Sequence, residues 1–271
     1  MKINNKVAVV TGASGGIGLA TAMKLLDKGV KGLALVDISE HIQETVQKLI
    51  KRSENPNVRG FCGDVSDCDF RSRVFESMLN EFGPVQICVP AAGIIKDGLA
   101  VKENPKTGEV QLYSEDSFKQ ILDVNLLHPA YWAMETIAGI ARHRLSNNQA
   151  KWQPDEDVQG CIILIGSVSS RGNRGQVGYA AAKSGLKAVS STLNLEGLFY
   201  GVQTKIIHPG FVDTPMVETI DADYFEEKLK PMIGLGRKIR SEEISEIICT
   251  MIENSVLSGE VWADASMTPL A

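Results

Sequence analysis

Lys6-Val7-Ala8-Val9-Val10-Thr11-Gly12-Ala13-Ser14-Gly15-Gly16-Ile17-Gly18 is the most informative stretch of the chain. Lys6–Thr11 is a short apolar run, which predicts a strand buried on both faces. The glycines come at once after it. Ile17–Lys28 then has helical period, with Leu19, Met23, Leu25 and Leu26 largely inward. Such a turn gathers free N–H groups and the positive end of a helix around one spot, which suits a pyrophosphate. Glycine there lets the backbone turn tightly, approach the phosphates and pack helix on strand. The spacing is G-x-x-x-G-x-G. Asp37 ends the next strand, Leu33–Asp37, 19 residues past Gly18. That is close to the ~20 residues that separate a phosphate loop from a ribose-binding carboxylate. A carboxylate at that place accepts from both ribose hydroxyls and repels a 2′-phosphate. No Arg or Lys lies within residues 12–18, so the pattern favours NAD over NADP. The plainer alternative is that Asp37 only caps the segment after it.

Outward from this unit, apolar strand-like runs alternate with helical stretches. The pattern predicts helices over His41–Ser53, Phe70–Phe82, Ser117–Arg142, Gln176–Leu198 and Ser241–Asn254. It predicts strands over Val58–Cys62, Val85–Pro90, Cys161–Ile165, Lys205–His208 and Glu260–Ala263. Continuous apolar strands alternating with helices imply an α/β fold, a doubly wound parallel sheet with helices on both faces. No linker divides the chain, so a single domain over 1–271 is expected. Two polar stretches break the rhythm: 100–116, with the turn signal Asn104-Pro105-Lys106-Thr107-Gly108, reads as a hairpin, and 146–159 as an exposed loop.

Composition excludes several classes. With 44% hydrophobic and 23% charged residues the chain is an ordinary globule. A net charge of −5 and the lack of a basic stripe argue against a nucleic-acid partner. No apolar run is long enough for a bilayer, and Met1–Lys6 shows no signal-peptide pattern. The five cysteines, Cys62, Cys68, Cys88, Cys161 and Cys249, contain no C-x-x-C pair. They read as reduced, buried thiols in a cytoplasmic protein. His41, His128, His143 and His208 show no ligand spacing, so no metal site is expected.

Tyr179 and Lys183 stand at i and i+4 in the fifth predicted helix and share a face. A phenol, ordinarily near pKa ~10, is acidified by a neighbouring cation. Y-x-x-x-K alone is usually a solvated pair. Here Ser167, twelve residues earlier, ends a strand, where open α/β sheets bind ligands. Asn125 lies in a mostly apolar helix, where it either satisfies backbone groups or holds a water for a proton relay.

Taken together, these residues resemble the short-chain dehydrogenase/reductase family over nearly the whole chain. The resemblance implies a single-domain Rossmann-type fold and a catalytic set of Asn125, Ser167, Tyr179 and Lys183. It implies a nicotinamide cofactor on Gly12, Ser14, Gly16, Ile17 and Gly18, with Asp64 and Val65 at the adenine. Ala92 and Gly93 would pass beside the cofactor; Pro209, Val212 and Thr214 would hold the nicotinamide amide, and Tyr179 and Lys183 would contact it too. Gly172-Asn173-Arg174-Gly175-Gln176 and Lys96-Asp97-Gly98-Leu99 resemble the 3-oxoacyl-(acyl-carrier-protein)/acyl-CoA reductase branch. Members of that branch are typically homotetramers built partly from two long helices; a homodimer is the lesser expectation.

Three departures stand out. Pro90-Ala91-Ala92-Gly93 replaces the family's Asn-Asn-Ala-Gly, and Asp264-Ala265-Ser266 its Asp-Gly-Gly. Biosynthetic members of the branch commonly use NADPH, against the reading of Asp37. The expected reaction is hydride transfer between NAD and a secondary alcohol or ketone, with a 3-oxoacyl thioester as one candidate. Tyr179 serves as acid or base, Lys183 tunes it and holds the ribose, Ser167 donates to the substrate oxygen, and Asn125 positions a water. Residues 213–235, with Met216, Val217, Ile220, Tyr224, Phe225, Met232 and Ile233, read as a substrate lid. Arg171 and Arg174 are candidates to meet a phosphorylated carrier. The alternatives are a hydroxysteroid, polyol or hydroxy fatty acid substrate, or a non-catalytic NAD-binding sensor on the same fold.

Overall fold

Four aliphatic residues and a threonine form β1 (Val7–Thr11), and all five are buried. A computed structural model describes residues 1–149, 151–218 and 220–267. Position 150 of the expected loop and position 219 of the expected lid lie outside the described residues. After β1 come α1 (Gly16–Asp27), β2 (Gly32–Asp37), α2 (Ile42–Ser53), β3 (Val58–Cys62), α3 (Cys68–Phe82) and β4 (Ile87–Pro90). A hairpin, β5 (Val101–Glu103) and β6 (Val110–Leu112), precedes α4 (Glu115–Leu122) and α5 (His128–Ser146). Then come β7 (Gly160–Ile165), α6 (Val177–Gly197), β8 (Val202–Pro209), two short helices α7 (Pro215–Glu218) and α8 (Ala222–Tyr224), α9 (Ser241–Glu253) and β9 (Glu260–Ala263).

The main sheet has seven strands in the order β3-β2-β1-β4-β7-β8-β9, every pair parallel. Apolar clusters cover both faces: Leu25, Leu33, Ile163 and Ile248 belong to one, Val9, Trp132, Ile162 and Leu186 to the other. Strand order reverses between β1 and β4, so a crevice opens at their carboxyl ends. The fold is the expected Rossmann-type α/β sheet. Among the described residues no helix is long and apolar enough to cross a membrane.

Four differences from the sequence reading have local causes. The helix expected over Ser117–Arg142 is broken by a wide π turn at Asp123–Leu127, centred on buried Asn125. Helix α3 starts at Cys68 because the Asp67 carboxylate caps it, accepting from the Asp69 and Phe70 N–H groups. Strand β8 is eight residues long, not four, although Thr204 and Lys205 are buried in it. The Lys205 ammonium reaches past the strand to the Met251 (2.6 Å) and Asn254 (2.9 Å) carbonyls at the end of α9, so a buried cation is satisfied there. Finally, Cys88, Cys161 and Cys249 are buried, but Cys62 and Cys68 are exposed. Cys62 ends the edge strand, which has a neighbouring strand on one side only.

Candidate active site

The glycine turn does what its composition predicts. Gly12 has φ +64°, and a Cβ on it would lie 2.8 Å from the Ala92 N atom. A Cβ on Gly18 would overlap the Gly12 carbonyl, so helix and turn meet only because both are glycine. Helix α1 begins after Gly15 with no side-chain cap and no acidic residue in its first turn. The Ser14 hydroxyl is buried without a partner. An uncapped helix end beside an orphaned hydroxyl fits a phosphate-bearing ligand.

Asp37 is tied to this turn. Its Oδ2 accepts from the Ser14 N–H (2.9 Å) and its Oδ1 from the Ser39 N–H (3.0 Å). Each oxygen keeps a further lone pair for a hydroxyl donor. Asp64 lies in the loop after β3; its Oδ1 accepts from the Ser66 N–H (2.8 Å), which holds its carboxyl below the usual range.

Beside the turn lies a cleft of about 390 Å³. Among the expected residues, Gly12, Gly16, Ile17, Gly18, Ala92, Gly93, Ser167, Tyr179, Lys183, Pro209, Val212 and Thr214 line it together. Ser14, Asp37, Asp64, Val65 and Asn125 lie outside that lining. The Val65 carbonyl accepts from the Trp132 indole N–H (3.1 Å). Asn125 stands behind the wall: its amide accepts from the Ile94 N–H (2.9 Å) and donates to the Ile94 carbonyl (2.8 Å). The Asn125 side chain thus bonds backbone groups of Ile94, and it does so from the π turn at Asp123–Leu127. The departure at Ala91 is also accommodated. Thr11 Oγ1 accepts from the Ala92 N–H (3.1 Å) and fixes the end of β4 without an asparagine.

Tyr179 and Lys183 are both buried, on one face of α6. The Lys183 ammonium donates to the Ile165 carbonyl (2.9 Å) and lies 5.6 Å from the centre of the Tyr179 ring. Burial lowers its pKa to about 8. Burial pushes the Tyr179 phenol up to about 12, with the Ser167 hydroxyl bond pulling it down and the nearby Asp97 charge pushing it up. The acidified phenol expected from the sequence is not what the chain itself makes. Desolvation of the phenol sets the direction, and the ammonium is turned toward Ile165. In the chain by itself the Tyr179 phenol therefore keeps its proton at neutral pH.

Two motifs from distant parts of the sequence turn out to touch. The Gln176 amide donates to Asp97 Oδ2 (3.0 Å) and accepts from the Ser169 hydroxyl (2.8 Å) and the Asn173 amide (2.9 Å). The Gly98 N–H donates to the Gly175 carbonyl (2.8 Å). Asp97, Asn173 and Gln176 line the cleft with Ile95, Phe211 and Met267, none of which the sequence singled out as a site residue. From the expected lid, Met216, Val217 and Ile220 line it, whereas Phe225 and Ile233 are buried in a separate cluster and Tyr224 is exposed. Arg171 lines the cleft too, but its guanidinium lies 3.6 Å from the centre of the Trp262 ring. Arg174 is exposed and outside the lining.

A crevice at the switch point of a parallel sheet, bounded by a glycine turn and a Ser–Tyr–Lys set, defines a class. Residues 6–224 match the family model described as short chain dehydrogenase, and the chain belongs to that oxidoreductase family. Within the family its likenesses point to a branch: it is 28% identical over 266 residues to 3-oxoacyl-(acyl-carrier-protein) reductase FabG of Thermotoga maritima, covering 96% of each chain. It is 29% identical over 263 residues to the enzyme of that name in Salmonella typhimurium, again covering 96% of each. To an acetoacetyl-CoA reductase of Synechocystis it is 29% identical over 263 residues, covering 96% of this chain and 94% of the relative.

Proposed function

We propose that the protein is an NAD-preferring oxidoreductase that interconverts a ketone and its secondary alcohol, with a 3-oxoacyl thioester as the substrate that best fits its relatives. The observation that carries this reading is the half-buried Ser167 with the buried Tyr179 and Lys183 in the same cleft as the uncapped glycine turn. Gly12, Ser14, Gly16, Ile17 and Gly18 would hold the dinucleotide phosphates, Asp37 the adenosine ribose, Asp64 and Val65 the adenine. Ala92, Gly93, Pro209, Val212 and Thr214 would flank the nicotinamide end. The dinucleotide, when bound, supplies or accepts the hydride.

The chain's own residues manage the proton. Tyr179 enters neutral and gives its phenolic proton to the oxygen of the ketone as negative charge builds there. Ser167 donates a hydrogen bond to the same oxygen. Lys183 carries its charge beside the phenol and stabilises the phenolate left behind. Asn125 keeps the strand-end backbone at Ile94 in place through its two bonds, and a water held near it would reprotonate the site. Met216, Val217 and Ile220 offer an apolar wall to an acyl chain. We assign residues 213–235 as the substrate lid and the whole chain as one catalytic domain.

NAD preference rests on Asp37, which offers carboxylate oxygens and no cation where a 2′-phosphate would sit. Arg171, packed on Trp262, is an edge of the cleft more than a free phosphate receptor. Tyr131 and Met134 on α5 and Leu195 on α6 are exposed apolar side chains, which supports burial of the two long helices in a homotetramer. Free thiols in all five cysteines suit a reducing, cytoplasmic setting.

The test is nicotinamide absorbance with NADH and with NADPH across 3-oxoacyl thioesters, hydroxysteroid ketones and sugar ketones. Turnover with NADH on the thioesters is expected. Strong preference for NADPH would refute the role given to Asp37, and no turnover of any ketone would refute the reductase reading.

A further inference from the structure

The turn that carries Ser167 rests on a buried histidine. His208, in β8, has no exposed surface, and its Nδ1 faces the turn. The Ser167 N–H points to Nδ1 at 3.3 Å, the Ser170 hydroxyl lies 3.1 Å from it, and the Ser167 carbonyl 3.2 Å. The Ser170 hydroxyl donates to that same carbonyl at 2.6 Å. The ring fits because residue 166 is glycine: a Cβ there would collide with His208 Nδ1 and Cε1. On the next strand, Trp262 is directly opposite His208 and stacks on it, 4.1 Å between centres and 15° between planes. Trp262 also receives Arg171, the last residue of the turn. Both ends of the segment 167–171 are thus seated on the ring pair of β8 and β9.

We propose that His208 is a positioning residue for Ser167, which holds the serine turn by accepting its N–H through Nδ1. The inference rests on the reductase reading of Ser167. Around the ring the Glu260 carboxylate favours one tautomer, and the Ser167 carbonyl beside Nδ1 favours the other. Nε2 lies 3.3 Å from Glu260 Oε2, near the carboxylate though not aligned as a hydrogen bond, and Lys187 Nζ lies 3.3 Å from the same oxygen. Arg171 is the other cation nearby. A lone pair on Nε2 facing that carboxylate would be repelled, so the proton belongs on Nε2 and the lone pair on Nδ1. Burial holds the ring neutral by lowering its pKa, with the Ser167 carbonyl and Glu260 opposing.

Two experiments test it. In the full chain carrying ¹⁵N-histidine, the His208 ring is expected as the neutral Nε2–H tautomer at neutral pH. The Nδ1–H tautomer would overturn the proposal, because that ring cannot accept from Ser167. In kinetics, His208→Asn keeps a hydrogen-bonding atom near Nδ1, and His208→Ala does not. His208→Ala is expected to lower kcat by about 10- to 100-fold, short of the loss of an oxyanion donor itself. Its dinucleotide Kd stays near the wild-type value, and His208→Asn recovers most of the kcat. Wild-type kcat in His208→Ala, or equal loss in both variants with normal nucleotide binding, would overturn it. If wild type turns over no ketone, the reductase reading has failed, and the tautomer still decides the place of His208.

Discussion

The two halves of the crevice are built from different materials. The half around Gly12–Gly18 is backbone: amide groups, a helix end and positions where a Cβ would collide with a neighbour. The half around Ser167, Tyr179 and Lys183 is made of side chains, and burial shifts the proton affinities of Tyr179 and Lys183. Steric exclusion sets the first, and the cost of burying charge sets the second. One half can therefore be broken without the other.

The largest effect belongs to the side-chain half. Tyr179→Phe should lower turnover by about 10³-fold, within the range for loss of a general acid, and leave dinucleotide affinity unchanged. Steady-state kinetics with a parallel fluorescence titration of the nucleotide checks both. The mirror experiment is Gly18→Ala. Its methyl would overlap the Gly12 carbonyl, so dinucleotide affinity should drop by about 100-fold or more, the scale of a ~3 kcal/mol clash. A Gly18→Ala protein that binds normally would remove the distinction between the halves.

Lys183 gives a finer test, because the same burial that serves chemistry costs stability. With its pKa lowered to about 8 from 10.5, the folded chain releases a proton that the unfolded chain keeps. The charged form is thus penalised below about pH 8, and stability recovers as pH rises from there toward 10.5. Lys183→Met should raise Tm near neutral pH by about 2–6 °C, with the gain shrinking across that window, while activity is lost. In the wild type, the reduction rate should fall as pH rises through about 8, when Lys183 loses its charge and Tyr179 is still protonated. Thermal melts and pH–rate profiles read these directly. The smallest effect is expected at Asp37. Asp37→Ala should narrow the preference for NADH over NADPH by about tenfold, the scale of one charged contact, at nearly constant kcat with NADH.

The same contrast governs what the sequence could disclose. The glycine turn, Asp37 and the Tyr179/Lys183 pair are legible because each depends on residues a few positions apart. The seven-strand sheet is legible for the same reason, since buried parallel strands are continuous apolar runs. The π turn at Asn125 is not, because its neighbours keep an ordinary helical pattern and the cause is a partner at Ile94. Nor is the joining of Gln176 to Asp97, or of His208 to Ser167, since each spans tens of residues and needs the strand order. Gln203 and Thr204 hid the start of β8, because two polar residues do not read as an apolar run. Cys62 misled burial because an apolar pattern cannot say which strand is at the edge. The direction of the Tyr179 shift required knowing how deeply the phenol is buried.

The most direct measurement tracks the hydride itself. NADH carrying deuterium at its transferable position is incubated with the protein and a 3-oxoacyl thioester, and the product is read by mass spectrometry. Deuterium is expected on the new carbinol carbon with wild type, and at a rate about 10³-fold lower with Tyr179→Phe. Equal rates of transfer by both proteins would contradict the account.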